Sequence, residues 1–356
     1  MVEPFAPGIL SKEALDARLD ALLKEYEIVA PVNRRGQAHF SKIIEISEIE
    51  WGYSSSVIPP SKVIYQAEQL LMRFVNQDGS YLVVEQHPPS RQRILLGVHP
   101  CDIHGILVLE RTLVGRWQDS WYAGERKRSL IIGLNCQNPG PDCFCSSFGT
   151  GPFYAPWMGQ GPPEGCDLFM TELMSGYLIE TFTEAGRRLL EGSELTKPTD
   201  SDLVEKDERH KKTLDQFTKH LNTDGLDALL NRHLEHPVWE RVGEDRCLSC
   251  TNCTMVCPTC YCYDIVDRAQ LDLKTILRWR RWDSCQDQHF AEVHFGNFRP
   301  SRKARLRQFV CHKLSYWMEQ YGCYGCVGCG RCIHWCPTGI DLTEIAAEIR
   351  REEIRL

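Results

Sequence analysis

The 356-residue sequence has no long hydrophobic run, no leader-like start and no excess of positive charge. Without an apolar run of roughly 20 residues, no segment is expected to cross a membrane as a helix. The opening decapeptide, MVEPFAPGIL, has no basic segment followed by an apolar stretch, so no secretory signal is expected. A net charge of −7 gives no reason to expect nucleic-acid binding. These absences predict a cytoplasmic protein with neither a membrane span nor a nucleic-acid partner.

Motifs of several common enzyme classes are also missing. The sequence contains no Walker A phosphate loop, no His-Glu-x-x-His zinc helix and no Gly-x-Ser-x-Gly nucleophile elbow. Gly149-Thr-Gly151 and Gly159-Gln-Gly161 neither follow a predicted strand nor open a helix, so they make poor dinucleotide loops. We therefore expect no flavin or NAD in this chain, and no catalytic residue is assigned.

Cysteine, by contrast, is abundant. Of the 18 cysteines none precedes Cys101, and 13 fall between Cys247 and Cys336 inclusive. Disulfides are improbable in a reducing compartment, where dense cysteine patterns more often bind metals. The distribution therefore predicts metal or cluster chemistry concentrated in the C-terminal third.

Two copies of Cys-x2-Cys-x2-Cys-x3-Cys-Pro identify that chemistry, one over residues 247–258 and one over residues 326–337. In two-cluster ferredoxins the fourth cysteine of each copy ligates the other cluster. The first group, predicted to hold one 4Fe-4S cluster, is Cys247, Cys250, Cys253 and Cys336. The second group, predicted to hold another, is Cys326, Cys329, Cys332 and Cys257. Structural zinc usually uses two cysteine pairs a dozen or more residues apart, so this spacing favours clusters.

A third group consists of Cys101, Cys136, Cys143 and Cys145. Cys101 and Cys136 each follow a predicted strand, at 94–98 and 130–134. If these strands pair in parallel, both cysteines emerge at the end of the sheet where α/β sites usually form. Cys143 and Cys145 lie in a Pro- and Gly-containing loop that can fold over them. A third cluster is predicted, with zinc binding or plain packing as alternatives.

Four further cysteines close to these motifs, Cys260, Cys262, Cys285 and Cys311, could hold a fourth cluster or could simply pack. Cys166 and Cys323 are expected to be structural. The segment 299–313 carries six Lys or Arg and no acidic residue. It could dock an acidic redox partner, form a solvated basic helix, or simply compensate the negative charge of the clusters.

The fold class predicted is α+β, with an N-terminal mixed α/β domain followed by a helical, dicluster ferredoxin-like domain. The expected boundaries are 1–195 for the α/β domain, 196–246 for a charged helical connector, 247–342 for the two-cluster domain with a long insert, and 343–356 for a C-terminal helix. Helices are predicted after Ser11, over 103–113 and from Glu184. Strands are predicted at 28–30, 81–84, 94–98, 130–134, 168–173 and 177–182.

The chain resembles the beta subunit of cytoplasmic sulfhydrogenases, the NAD(P)-linked NiFe hydrogenases that also reduce sulfur. It is similar as well to the A subunit of anaerobic sulfite reductase. The resemblance covers residues 28–340 and rests on Gly97-Val-His-Pro-Cys101-Asp102-Ile103, Cys143-Phe-Cys145, Cys257-Pro-Thr-Cys260, Arg281-Trp-Asp-Ser-Cys285-Gln286, Asn297-Phe-Arg-Pro300 and Cys326-Val-Gly-Cys329-Gly-Arg-Cys332. The Gly/Pro-rich segment 147–165, Cys166 and Cys323 depart from the family pattern.

This resemblance implies an iron-sulfur electron-transfer subunit of an anaerobic oxidoreductase complex, not catalytic alone. Its expected partners are catalytic hydrogenase or reductase subunits and a flavin- and NAD(P)-binding subunit. The alternatives are the corresponding subunit of an anaerobic sulfite or polysulfide reductase, and the iron-sulfur subunit of a flavin complex feeding heterodisulfide reductase.

Overall fold

The structure is a computed structural model that describes residues 5–156 and 164–354. The strands are β1 (Gly8–Leu10), β2 (Glu27–Arg34), β3 (Gln37–Lys42), β4 (Glu68–Gln77), β5 (Ser80–Glu85), β6 (Arg93–Val98), β7 (Ser129–Leu134), β8 (Leu168–Leu173), β9 (Gly176–Thr181), β10 (Tyr263–Ala269), β11 (Thr275–Trp282), β12 (Glu292–Val293) and β13 (Gly296–Asn297). The helices are α1 (Lys12–Glu25), α2 (Ser61–Ile64), α3 (Pro100–Leu113), α4 (Ser120–Lys127), α5 (Glu184–Leu189), α6 (Asp200–Leu214), α7 (Leu226–Arg232), α8 (Val238–Gly243), α9 (Asn252–Met255), α10 (Arg302–Cys311), α11 (Trp317–Tyr321), α12 (Arg331–His334) and α13 (Leu342–Glu353). No helix in these described ranges is long and apolar enough to cross a membrane.

A seven-stranded mixed sheet organises the N-terminal part, in the order β1-β9-β8-β7-β6-β2-β3. Its four central strands, β2, β6, β7 and β8, run parallel, and antiparallel neighbours close both edges. The strands at 94–98 and 130–134 do pair in parallel, which is the condition on which the third cysteine group depended, because β6 pairs with β7 from Arg93↔Ser129 onward. The carboxyl ends of these two strands therefore lie side by side.

Helices cover both faces of this sheet. Ile94 and Leu96 of β6 pack on the side of α1, whereas Leu95 and Val98 pack on the side of α3. The pleat alternates side chains between faces, and Gly97, at φ +75°, interrupts the alternation where the register with β7 shifts. The predicted helix after Ser11 is present, and the Ser11 hydroxyl accepts a hydrogen bond from the Ala14 backbone N–H at 3.2 Å.

A second sheet, β10-β11-β4-β5, joins distant parts of the chain. Strands β4 and β5 come from the N-terminal part, and β10 and β11 come from the insert between the two cysteine motifs. The expected strand at 81–84 is thus present, but in this exposed sheet rather than in the large one. The insert therefore ties the ferredoxin-like part to the N-terminal part.

Basic side chains of the segment 299–313 make contacts within the chain. Arg302 contacts the Glu244 carboxylate at 3.3 Å and the Cys247 carbonyl oxygen at 3.1 Å. Arg305 is buried and donates to the Arg299 and Pro300 carbonyl oxygens. These two basic groups serve internal contacts. Of the Gly-rich segment 147–165, Gly159 and Gly161 lie outside the described residues.

Candidate metal centres

The two cysteine motifs fold into the same local structure. Ser249 and Gly328, both two residues after the first cysteine of their motif, have φ of 51° and 66°. Thr251 and Gly330, both one residue after the second cysteine, have φ of 69° and 74°. These left-handed bends are tolerated most readily by glycine, and in each motif they precede a single helical turn, α9 or α12. The two bends turn three closely spaced thiols toward one centre.

Backbone N–H groups point at several of the sulfur atoms. The Ser249 N–H donates to Cys247 Sγ at 3.4 Å, and the Gly328 N–H donates to Cys326 Sγ at the same distance. The Ile340 N–H donates to Cys336 Sγ at 3.3 Å. Such donors favour the thiolate form and, in iron-sulfur proteins, help to set the reduction potential.

The first group comes together as expected from the spacing. Its four cysteines line one pocket between α9, α10 and the turn before α13. The pKa of Cys253 is raised by burial and then by the neighbouring Cys247 and Cys250 thiols. Cys250 is exposed, so this group lies nearest to solvent.

The second group also gathers, and it adjoins the first. Burial, with a smaller contribution from the nearby Cys257 thiol, raises the pKa of Cys326 to about 12 against the opposing hydrogen bond from the Gly328 N–H. Burial raises the pKa of Cys332 as well, and its neighbours include Cys326, Cys257 and also Cys253 of the first group. Because Cys332 lines the pocket of the first group too, the two groups are direct neighbours.

The third group converges at the carboxyl edge of the large sheet. Cys101 is the second residue of α3, three residues after the last residue of β6, and Cys136 follows the end of β7 by two residues. The loop with Cys143 and Cys145 folds back over them, so all four thiols line one narrow cavity. Burial raises the pKa of Cys143 to about 12, and the Cys101 thiol adds to the effect. Neutral thiols at neutral pH must lose protons to bind iron.

The third group is seated directly on the second motif. The Phe144 N–H donates to the Gly328 carbonyl oxygen at 2.8 Å, and the Thr150 hydroxyl donates to the Val327 carbonyl oxygen at 2.7 Å. A Cβ at Gly328 would lie 2.7 Å from the Cys145 backbone, so only glycine permits this approach. Cys329 of the second group accordingly lines the cavity of the third.

The remaining cysteines fall into one cluster of three and three that lie apart from it. Cys260, Cys262 and Cys285 lie together, with Cys262 and Cys285 in direct hydrogen-bond contact. The structure does not bring Cys311 to them, since its thiol contacts the Tyr316 hydroxyl and burial raises its pKa to about 11. Cys166 contacts Tyr154, and Cys323 packs in a small apolar cluster.

Sequence reasoning did not assign four charged groups to these sites. Arg331 pairs with Asp102 between the second and third groups, at 2.7 Å. Lys62 and Lys313 are buried beside Cys260. Arg331 and Asp102 each stand next to a predicted ligand in the sequence, and this position could have indicated their role. Nothing in the sequence around Lys62 indicates that it lies near a cysteine.

The arrangement of thiols suits clusters. Among the described residues no three His, Cys, Asp or Glu side chains are close enough to hold a single metal ion. Zinc gathers its thiolates at about 2.3 Å from one point, whereas a four-iron cluster spaces one thiolate on each iron. The buried sulfurs, N–H donors and adjacent cavities fit such clusters.

The comparisons with known proteins agree with this chemistry. Residues 246–340 match the family model described as a 4Fe-4S dicluster domain. The chain is 32% identical over 333 residues to Sulfhydrogenase 2 subunit beta of Pyrococcus furiosus, covering 92% of this chain and 94% of that protein. No solved structure matches the chain significantly. The chain belongs to the family of sulfhydrogenase beta subunits and is an iron-sulfur electron-transfer subunit.

Proposed function

We propose that this chain relays electrons between a catalytic hydrogenase module and a flavin- and NAD(P)-binding subunit of a cytoplasmic complex. The observation that carries the proposal is the contiguity of three cysteine groups. Cys332 adjoins the first group, and Cys329 of the same motif adjoins the third. Clusters bound at these groups would supply one-electron carriers with short steps between them.

Both ends of this series approach the protein surface. Cys250 of the first group is exposed. At the other end a surface pocket reaches Cys143 and Cys329, and His334 and Trp335 form part of its wall. A relay between two partners requires an accessible carrier at each end. We therefore assign one partner to each of these surfaces.

The protein's own part in the relay is to bury and polarise the carriers. Thr254 and Val256 within the first motif are buried, as is Ile333 within the second, and together they limit water near the sulfurs. The N–H donors to Cys247, Cys326 and Cys336 stabilise added negative charge on reduction. Substrate and nucleotide sites would belong to the partners.

Alanine substitution of a relay cysteine tests the proposal in the assembled complex. Cys329→Ala should reduce hydrogen-dependent NAD(P) reduction at least about tenfold, because it removes a ligand at the junction of two groups. Hydrogen oxidation with an artificial dye that reacts at the catalytic module should stay unchanged.

Cys323→Ala is the matched control, because Cys323 is a buried cysteine on the same segment that packs in an apolar cluster. It should retain both activities. Equal loss of both activities in Cys329→Ala, or full retention of NAD(P) reduction, would contradict the relay.

A further inference from the structure

Three thiols outside the three groups form a further buried cluster. Cys260 and Cys262 lie between α9 and β10, and Cys285 follows β11. The ends of this hairpin are held together, since the Asp283 N–H donates to the Cys262 carbonyl oxygen at 3.0 Å. Cys262 contacts Cys285 sulfur to sulfur, and Cys260 contacts Cys257. The antiparallel pairing of β10 with β11 thus creates the cluster.

Two buried ammonium groups face these thiols. Lys62 and Lys313 are only 7% and 3% exposed. Lys62 Nζ donates to the Cys260 carbonyl oxygen at 2.6 Å, and Lys313 Nζ donates to the Thr259 carbonyl oxygen and hydroxyl at 3.0 and 2.8 Å. A buried cation is costly unless negative charge compensates it. The oxygens that accept these bonds are neutral, and the thiols are the ionisable groups beside them.

The backbone around Lys313 is itself unusual. Residues His312–Tyr316 form a π-helical segment between α10 and α11. Such segments are rare and occur often at functional sites. Here the segment carries Lys313, whose carbonyl oxygen also accepts the Gly325 N–H at 2.9 Å, next to the second motif. The wide turn therefore directs a cation toward the thiols of a different element.

We propose that Cys260, Cys262 and Cys285 hold a fourth iron-sulfur cluster whose negative charge is compensated by Lys62 and Lys313. The site goes beyond the three-group relay and does not include Cys311. Cys257 is the nearest further thiol, but it also lies against Cys326 and Cys332 of the second group. With three cysteines holding this cluster, its fourth iron would take a ligand other than Cys260, Cys262 and Cys285.

The charge balance assigns a redox character to this cluster. One-electron reduction adds one negative charge, and two ammonium groups in a buried setting stabilise the reduced form. Its reduction potential is therefore raised relative to a cluster without them. Because Cys285 lies near Cys253 and Cys260 contacts Cys257, the site adjoins both ferredoxin-like groups and can hold an electron beside the relay.

The first test compares Cys262→Ala with Cys311→Ala in the anaerobically purified full chain. Iron, acid-labile sulfide and zinc are measured per chain. Cys262→Ala should lose about four irons and four sulfides relative to the wild type, and Cys311→Ala should lose none. Equal iron in both variants, or loss of zinc without loss of iron, would overturn the proposal.

The second test keeps all the ligands and therefore does not depend on the Cys262 variant folding. Lys62→Met should retain the wild-type iron content but lower the midpoint potential of one cluster in an EPR-monitored redox titration. Lys12 is an exposed lysine that pairs with Glu172. Lys12→Met should leave the midpoint potentials of all clusters unchanged. An unchanged set of potentials in Lys62→Met would refute the assigned role of the ammonium groups.

These tests are independent of the relay. Failure of the proposed relay appears as retained NAD(P) reduction in Cys329→Ala, which leaves the iron loss in Cys262→Ala unaffected.

Discussion

Arg331 forms a bidentate ion pair with Asp102, with Nη1–Oδ1 and Nη2–Oδ2 distances of 2.7 and 2.8 Å. The two side chains are 2% and 0% exposed. Arg331 lies between two cysteines of the second group, and Asp102 directly follows Cys101 of the third. The Arg331 guanidinium also donates to the Ser56 carbonyl oxygen at 2.7 Å. The pair thus fixes the ferredoxin-like part against the carboxyl edge of the large sheet.

Asp102→Asn should both destabilise the protein and change its redox behaviour. Leaving one partner of a buried ion pair uncompensated costs about 3–5 kcal/mol. Removing the negative charge should also raise the reduction potentials of clusters at the second and third groups, because reduction adds negative charge. Anaerobic denaturant unfolding and a redox titration measure the two effects.

Glu125→Gln provides the comparison. Glu125 forms an equally buried pair with Arg93 at 2.7 Å, on the side of the sheet covered by α4. Glu125→Gln should lower the free energy of unfolding by a similar amount and leave the reduction potentials of the clusters unchanged. If Asp102→Asn left all potentials unmoved, the pair would be structural only.

Gly328→Ala should displace the loop of the third group. Its φ of +66° disfavours any side chain, and the added Cβ would lie 2.7 Å from the Cys145 backbone. Gly322 has a similar φ of +68°, but a Cβ added there would have no other heavy atom within 4 Å. Gly322→Ala is therefore the control. The Gly322→Ala control should lose about 1–2 kcal/mol of stability from its left-handed backbone conformation alone. Gly328→Ala should lose distinctly more stability and also iron, measured by unfolding and iron analysis; identical behaviour of the two would argue against the close packing.

Cys136→Ala tests the predicted third cluster: it should lower the iron content by about four per chain, because it removes one of the four thiols of the third group. Cys166→Ala removes another buried thiol near the same sheet, one that contacts Tyr154 instead of the third group. Its iron content should match the wild type. Iron and acid-labile sulfide, measured per chain in anaerobic preparations of both variants, show whether the third group binds a cluster. An unchanged iron content in Cys136→Ala would leave the third group to zinc or to packing.

In the cluster-free protein at pH 8, Cys262 should react with iodoacetamide faster than Cys143. The hydrogen bond from Cys285, together with the Lys313 ammonium, lowers the pKa of Cys262 to about 7 against burial. Burial raises the pKa of Cys143 to about 12. At pH 8 the former is mostly thiolate and the latter mostly thiol, and the thiolate is the nucleophile. Allowing for the weaker nucleophilicity of a low-pKa thiolate, the rates should differ by at least about tenfold.

Peptide mapping by mass spectrometry follows both sites in one sample. In guanidinium the two thiols should react at similar rates, because the unfolded chain has neither the burial nor the neighbours. Similar rates in the folded protein would contradict the environments described for Cys262 and Cys143.

The comparison with Cys311 illustrates the limit of sequence reasoning at the site. The sequence allows Cys260, Cys262, Cys285 and Cys311 as one possible ligand set, with plain packing as the alternative. Only three of them converge, because α10 directs Cys311 toward Tyr316 while the β10–β11 hairpin brings Cys262 to Cys285. No local pattern encodes which thiol an adjoining hairpin will reach.

The sequence by itself determined what depends on neighbours along the chain. The cysteine spacing of 247–258 and 326–337 predicts the two-cluster motif because three thiols at intervals of three need only local turns. Ser11 predicts the start of α1 for the same reason, since a cap acts within one helical turn.

Only the tertiary structure decided the contacts between distant segments. The ion pair of Arg331 with Asp102 joins positions 229 residues apart, and the contact of Lys62 with the Cys260 carbonyl joins positions 198 apart. Such contacts form because burial of the sheet and of α10 places the segments together. A buried charge must then find its compensation among whatever groups the packing brings within reach.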